Sequence, residues 1–159
     1  MKQITLARWL KLALLGLLTL LLFAYSCVVP FLAKAMLHSY PEFENRLLPW
    51  LIFIELTAVP CLCAFFYAWK ISCNISRDRS FCRENAKYMR TIALLAGVDA
   101  AYFFLGNAVL LFANMSHPGI ALFSLIAVFV GLAVCVAAAA LSHLIQKAAD
   151  IQEESELTI

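Results

Sequence analysis

Four apolar stretches divide the chain. Between Lys11 and Lys34 run 22 residues without a charge, LALLGLLTLLLFAYSCVVPFLA. At about 1.5 Å per residue, a helix of that length crosses a hydrocarbon core of roughly 30 Å. Leu47 to Trp69 carries one charge, Glu55; Thr91 to His117 carries one, Asp99; Pro118 to Gln146 carries none. The pattern predicts one all-α domain over 1–159, a polytopic membrane bundle with spans at about 11–35, 47–71, 91–115 and 119–145. The first run follows a basic start, MKQITLARWLK, but exceeds the roughly 7–15 residue core of a signal peptide and lacks a small-x-small exit. It is therefore expected to remain as an anchor. Trp9, Trp50 and Trp69 fall near span ends, where aromatic side chains suit the interface.

The basic residues give an orientation. Lys2, Arg8, Lys11, Lys70, Arg77, Arg79, Arg83, Lys87, Arg90 and Lys147 fall at the N-terminus, in the middle loop or at the C-terminal end; only Lys34 and Arg46 lie on the other side. The positive-inside bias then places both termini and the basic segment 73–90 in the cytoplasm of a multi-pass cell-membrane protein, with outer turns around His38 to Arg46 and Ser116 to Gly119. A basic loop beside anionic lipid is worth about 1 kcal/mol per favourable Lys or Arg, which makes lipid a better partner than nucleic acid for it.

Ser80 reads as an N-cap, Glu84 falls in the turn it would open, and no Pro or Gly interrupts Phe81 to Leu95. One helix is predicted from Phe81 to Met115, its first turns standing in the cytosol with Phe81, Cys82, Ala86 and Met89 as apolar members. Helix four is expected to leave the membrane on the same side through an acidic tail, 147–159, with Asp150, Glu153, Glu154 and Glu156. The tail can pair with Arg79, Arg83 or Lys87, or serve as a docking strip; the residues leave both open.

Inside the spans, Glu55 and Asn107 lie at similar predicted depths, which leaves them able to meet. Asp99, Tyr102, Phe103, Gly106 and Asn107 share roughly one side of helix three. Intramembrane acids are costly in lipid and should face the bundle interior or a wet cavity. Glu55, Asp99, Tyr102 and Asn107 therefore read either as a proton or cation relay or as hydrogen-bonding residues that fix helix register, with Ser124 as a further partner. Ala127, Gly131, Cys135 and Ala139 recur every four residues, a small-residue ladder for close helix approach within the chain or in a homodimer. Pro30 and Pro60 are expected to kink helices one and two.

Composition excludes more than it assigns. The chain is 64% hydrophobic and 14% charged, with mean hydropathy +0.88, whereas soluble domains sit near 45–50% and about 25%. No length remains for a separate soluble catalytic domain. The six cysteines, Cys27, Cys61, Cys63, Cys73, Cys82 and Cys135, form no C-x-x-C, and the spacing of Cys73, Cys82 and His143 fits no zinc template. They read as buried or inert thiols. Asn74-Ile-Ser76 and Asn114-Met-Ser116 read as chance matches to a glycosylation sequon. No catalytic constellation, metal site or cofactor is expected.

SFCRENAKYMRTI at Ser80 to Ile92, DAAYFFLGN at Asp99 to Asn107, HPG at His117 to Gly119 and the ending LSHLIQKAADIQEESELTI together resemble a family of small bacterial membrane proteins, domain of unknown function family 2975. The family's closing pattern is E-x-D-L-T-I, and Glu156 stands here in place of the Asp. The resemblance implies four membrane helices and a gene often beside a small Cro/cI-type helix-turn-helix regulator; it carries over no catalytic or ligand residue. The leading expectation is a non-enzymatic membrane partner that binds this regulator through Arg77 to Arg90 and Lys147 to Ile159. The alternatives are a small transporter using Glu55, Asp99 and Asn107, or a structural subunit of a membrane complex.

Overall fold

Hydrocarbon offers a backbone nothing to bond with, so an apolar run must satisfy its own N–H and C=O groups as helix. The computed structural model, which describes residues 3–39, 47–114 and 118–157, shows only helices and turns over those residues. Helix α1 (Gln3–Phe23) passes through a wide π-type segment, Ala24–Val28, into α2 (Val29–Ser39); α3 (Leu47–Ser76), α4 (Arg83–Phe112) and α5 (Pro118–Leu157) follow. Four helices are long and apolar enough to cross a membrane: Ile4–Ala35, Leu47–Ser76, Arg83–Phe112 and Gly119–Ser155. Residues 1–2, 40–46, 115–117 and 158–159, and with them Lys2, Arg46, Met115, His117 and most of the outer turns, lie outside the described residues, as does the Glu156 side chain.

The π-type segment has a local cause. Pro30 lacks an N–H, and its ring crowds the carbonyl four residues back, at Ser26, so the turn before it widens. The Ser26 hydroxyl donates to the Leu22 carbonyl at 2.5 Å. Pro60, by contrast, sits within an unbroken α3.

Packing follows the order of the spans: α1 lies on α3, α3 on α4 and α4 on α5, and among the described residues no other pair of spans approaches as closely. With lipid as apolar as leucine, burial does not draw helices together; close approach of small side chains does. The buried apolar residues show this, being mostly alanines: Ala7, Ala33, Ala86, Ala93, Ala100, Ala138 and Ala149, with Val128.

The α4–α5 seam is the tightest. On α4, Ala86, Ala93, Ala100 and Asn107 recur every seven residues and are buried. On α5, Ser124, Val128, Gly131, Cys135, Ala138, Ser142, Ile145 and Ala149 recur at three- and four-residue steps on the packed side. A Cβ on Gly131 would lie 3.1 Å from that of Ala100, and one on Gly97 would lie 3.1 Å from Cys135 Sγ. Of the expected ladder, Gly131 and Cys135 therefore do face α4, whereas Ala127 and Ala139 are exposed. Four residues advance a helix by about 400°, so a strict four-residue ladder drifts about 40° per step; a mean step near 3.5 stays on the seam.

Candidate functional site

The N-terminal part of α1, the α3–α4 turn and the C-terminal part of α5 gather at one end. Three contacts hold it: Ser72 Oγ donates to the Ala7 carbonyl at 3.2 Å, Ser142 Oγ to the Ala86 carbonyl at 2.7 Å, and Arg83 pairs with Glu153 at 2.7 Å and Asp150 at 3.2 Å. In the turn, α3 ends in a Schellman motif. Arg79 N–H bonds the Asn74 carbonyl at 3.0 Å and Asp78 N–H the Ile75 carbonyl at 3.1 Å. Asp78, at φ 61°, takes the left-handed position usually filled by Gly.

Asn85 locks the turn. It is 0% exposed; its Nδ2 donates to the carbonyls of Arg79 and Ser80 at 3.1 and 3.0 Å, and its Oδ1 accepts from Asn74 Nδ2 at 2.8 Å. This explains why helix three starts later than expected. The Ser80 carbonyl is committed to Asn85, and the N-cap position falls to Cys82, in extended conformation at φ −128° and without a side-chain cap bond. The helix therefore begins at Arg83 rather than Phe81.

Around this turn, Asp78, Arg79, Ser80, Phe81 and Arg83 face Gln152 and Glu153 across a polar groove of about 530 Å³. Phe81 is 58% exposed. Among the described residues, Arg83 is the expected partner that pairs with the acidic tail. Arg79 lies 3.8 Å from Glu84 of the next helix's own first turn, and Lys87 is exposed without an ion pair among the described residues.

Within the spans, the polar residues divide differently from expectation. Glu55 is exposed on α3, while Asn107 is buried and donates to the Phe103 carbonyl of its own helix at 2.8 Å, so the two do not pair. Tyr102 OH donates to the Phe53 carbonyl at 3.3 Å, and Ser124 to Ala121 at 2.6 Å. Asp99 instead accepts from Cys61 Sγ at 3.7 Å through Oδ2; its buried Oδ1 has no partner among the described residues. One helical turn from Cys61, Thr57 donates to the Ile54 carbonyl at 2.7 Å and accepts from Tyr25 OH at 2.6 Å. These bonds tie the π-type segment of the first span, α3 and α4 together across the middle of the spans.

Two further features lacked a clear sequence signal. Phe53 stacks on Phe103 at 5.7 Å and tilts against Tyr102 at 5.1 Å, in space that Gly106 leaves open: a Cβ there would collide with the Phe53 ring. Cys27 and Cys63 are exposed rather than buried, and all six thiols are free.

Comparison with known proteins bears on most of the chain. Residues 31–159 match the model of a family described as "Protein of unknown function (DUF2975)". The chain is also similar to "Uncharacterized membrane protein YoaS" of Bacillus subtilis (strain 168), at 28% identity over 136 residues, which cover 83% of this chain and 84% of that one. No solved structure matches.

Proposed function

We infer a role from one premise, that this chain belongs to the DUF2975 family: it is a non-enzymatic membrane protein whose charged end docks a small soluble partner, the helix-turn-helix regulator that the family resemblance implies. We place that end in the cytoplasm on the positive-inside bias, which also makes the lipid bilayer the surroundings of the rest. One observation carries the reading. Past Arg90 and Lys147, the charges nearest the apolar centres of their helices on this side, α4 continues for about two turns and α5 for about three, and the polar groove with exposed Phe81 lies between them. A lipid-facing surface has no use for such a groove, because each unpaired charge in it is costly away from water.

The test is recovery of that regulator on the full chain from mild-detergent extracts, beside a chain lacking 148–159 and a Phe81→Ala variant. Recovery by the full chain and loss from both variants is the expected result. Equal recovery by the truncated chain would remove the tail from the mechanism, and no recovery by any form would overturn the pairing.

The transporter reading draws support from the unpartnered Asp99 Oδ1. It gains nothing from exposed Glu55 or from Asn107, whose amide serves its own helix. In liposomes, that reading expects ion-coupled flux abolished by Asp99→Asn; no flux across a broad solute panel counts against it.

A further inference from the structure

On each of the four spanning helices, one basic residue stands nearest the apolar centre at the charged end: Lys11, Lys70, Arg90 and Lys147. Two of them differ from the others. Lys11 Nζ lies over the Trp69 ring, 5.7 Å from its centroid. Lys70 Nζ lies 4.5 Å from Phe66, 5.4 Å from Tyr88 and 5.9 Å from Tyr67. Both lysines are half-buried, whereas Arg90 and Lys147 are exposed.

Neither Lys11 nor Lys70 has a carboxylate within 4 Å among the described residues. Two ammonium groups thus sit at the edge of the apolar zone against ring faces, whose quadrupole attracts a cation without neutralising it. Phe66, Trp69 and Lys70 stand at i, i+3 and i+4 on one side of α3. Lys11 comes to that side from α1 and Tyr88 from α4. Trp69 remains 40% and Phe66 57% exposed, so the cluster is open to the bilayer.

We propose that Lys11, Lys70 and Trp69 form a binding site for the phosphate of an anionic membrane lipid, with Phe66 and Tyr88 as its walls. The chemistry matches at each point. The ammonium groups and the indole N–H are donors that want an anion. The depth, one residue outside the uncharged run of α1, is where lipid phosphates lie, and the exposed Phe66 ring offers a surface for an acyl chain. The site anchors α1 on α3 at the seam that also buries Ala7 and Ser72.

Native mass spectrometry of the full chain, purified in mild detergent and offered equal amounts of phosphatidylglycerol and phosphatidylcholine, tests this. Wild type is expected to retain the anionic lipid in preference. Lys11→Gln and Lys70→Gln should each lower its retention about five-fold, and together about 25-fold, from the usual contribution of one basic residue to anionic-lipid binding. Lys11→Arg with Lys70→Arg should retain it, and this variant separates loss of the site from loss of the fold. Arg90→Gln with Lys147→Gln, which removes equal charge, should leave retention within about two-fold. An equal fall in that control would overturn the proposal, as would absence of preference between the lipids. Displacement of the lipid by inorganic phosphate alone would overturn the lipid as the source of the phosphate.

Discussion

Asn85 does at the α3–α4 turn what no single residue type announces. Its amide meets two carbonyls and one side-chain amide with no surface exposed. Asn85→Ala strands the Arg79 and Ser80 carbonyls and should cost about 2–3 kcal/mol, read as a lower midpoint of thermal unfolding in detergent. Asn85→Asp should cost more, because a carboxylate would turn acceptors toward those same carbonyls. The opposite sign is expected at Asp78, where φ is already 61°. Asp78→Gly removes the left-handed strain and should stabilise by some tenths of a kcal/mol to about 1 kcal/mol. Arg83, paired with two carboxylates but about half exposed in its side chain, should lose under about 1 kcal/mol as Arg83→Ala in the same assay.

At the scale of elements, the α4–α5 seam separates two residues that a four-residue spacing treats as equals. Gly131→Leu would drive a branched side chain into Ala100, where even a Cβ is at 3.1 Å; a cost of about 1–3 kcal/mol is expected. Ala127→Leu, on the exposed side of α5, should be near neutral. Equal midpoints for the two variants would mean that the seam is elsewhere. Gly106→Ala makes a matching test on the α3–α4 seam: the Phe53 ring must leave its place, with loss of its stacking on Phe103 and a drop of about 1–3 kcal/mol. The seven-residue recurrence of Ala86, Ala93, Ala100 and Asn107 was open to reading in the sequence. It was obscured because most positions in these helices are apolar, so in lipid the informative contrast is small against large.

For the whole molecule, sequential packing leaves α1 and α5 as flanks with lipid on most sides. The exposed leucines of α1 and the exposed phenylalanines Phe123 and Phe129 of α5 are the surface that hydrocarbon expects. The gathering of Arg79, Arg83, Asp150 and Glu153 at one end makes a topological prediction. Single cysteines introduced as Arg77→Cys and Gln152→Cys in an otherwise cysteine-free chain should be labelled by an impermeant reagent from the same face of the membrane. Labelling from opposite faces would contradict the contact between the α3–α4 turn and α5.

The sequence alone determined the solvent, the number of crossings and the side on which charge collects, because these follow from uncharged runs of about 20 residues and from where Lys and Arg fall. It also singled out Asp99, Arg83, Gly131 and Cys135 as residues in contact with other helices. Which contacts they make was decided only by the tertiary structure. Asp99 meets Cys61, Asn107 bonds its own helix rather than Glu55, Arg83 takes Asp150 and Glu153 of the acidic tail while Arg79 takes Glu84, and Asn85 displaces Ser80 from the helix start. Partner choice depends on helix rotation, and about 100° per residue turns a small error in phase into a different neighbour. The same rotation brings Lys11 and Lys70, 59 positions apart in sequence, to one side of the molecule with aromatic rings beneath them.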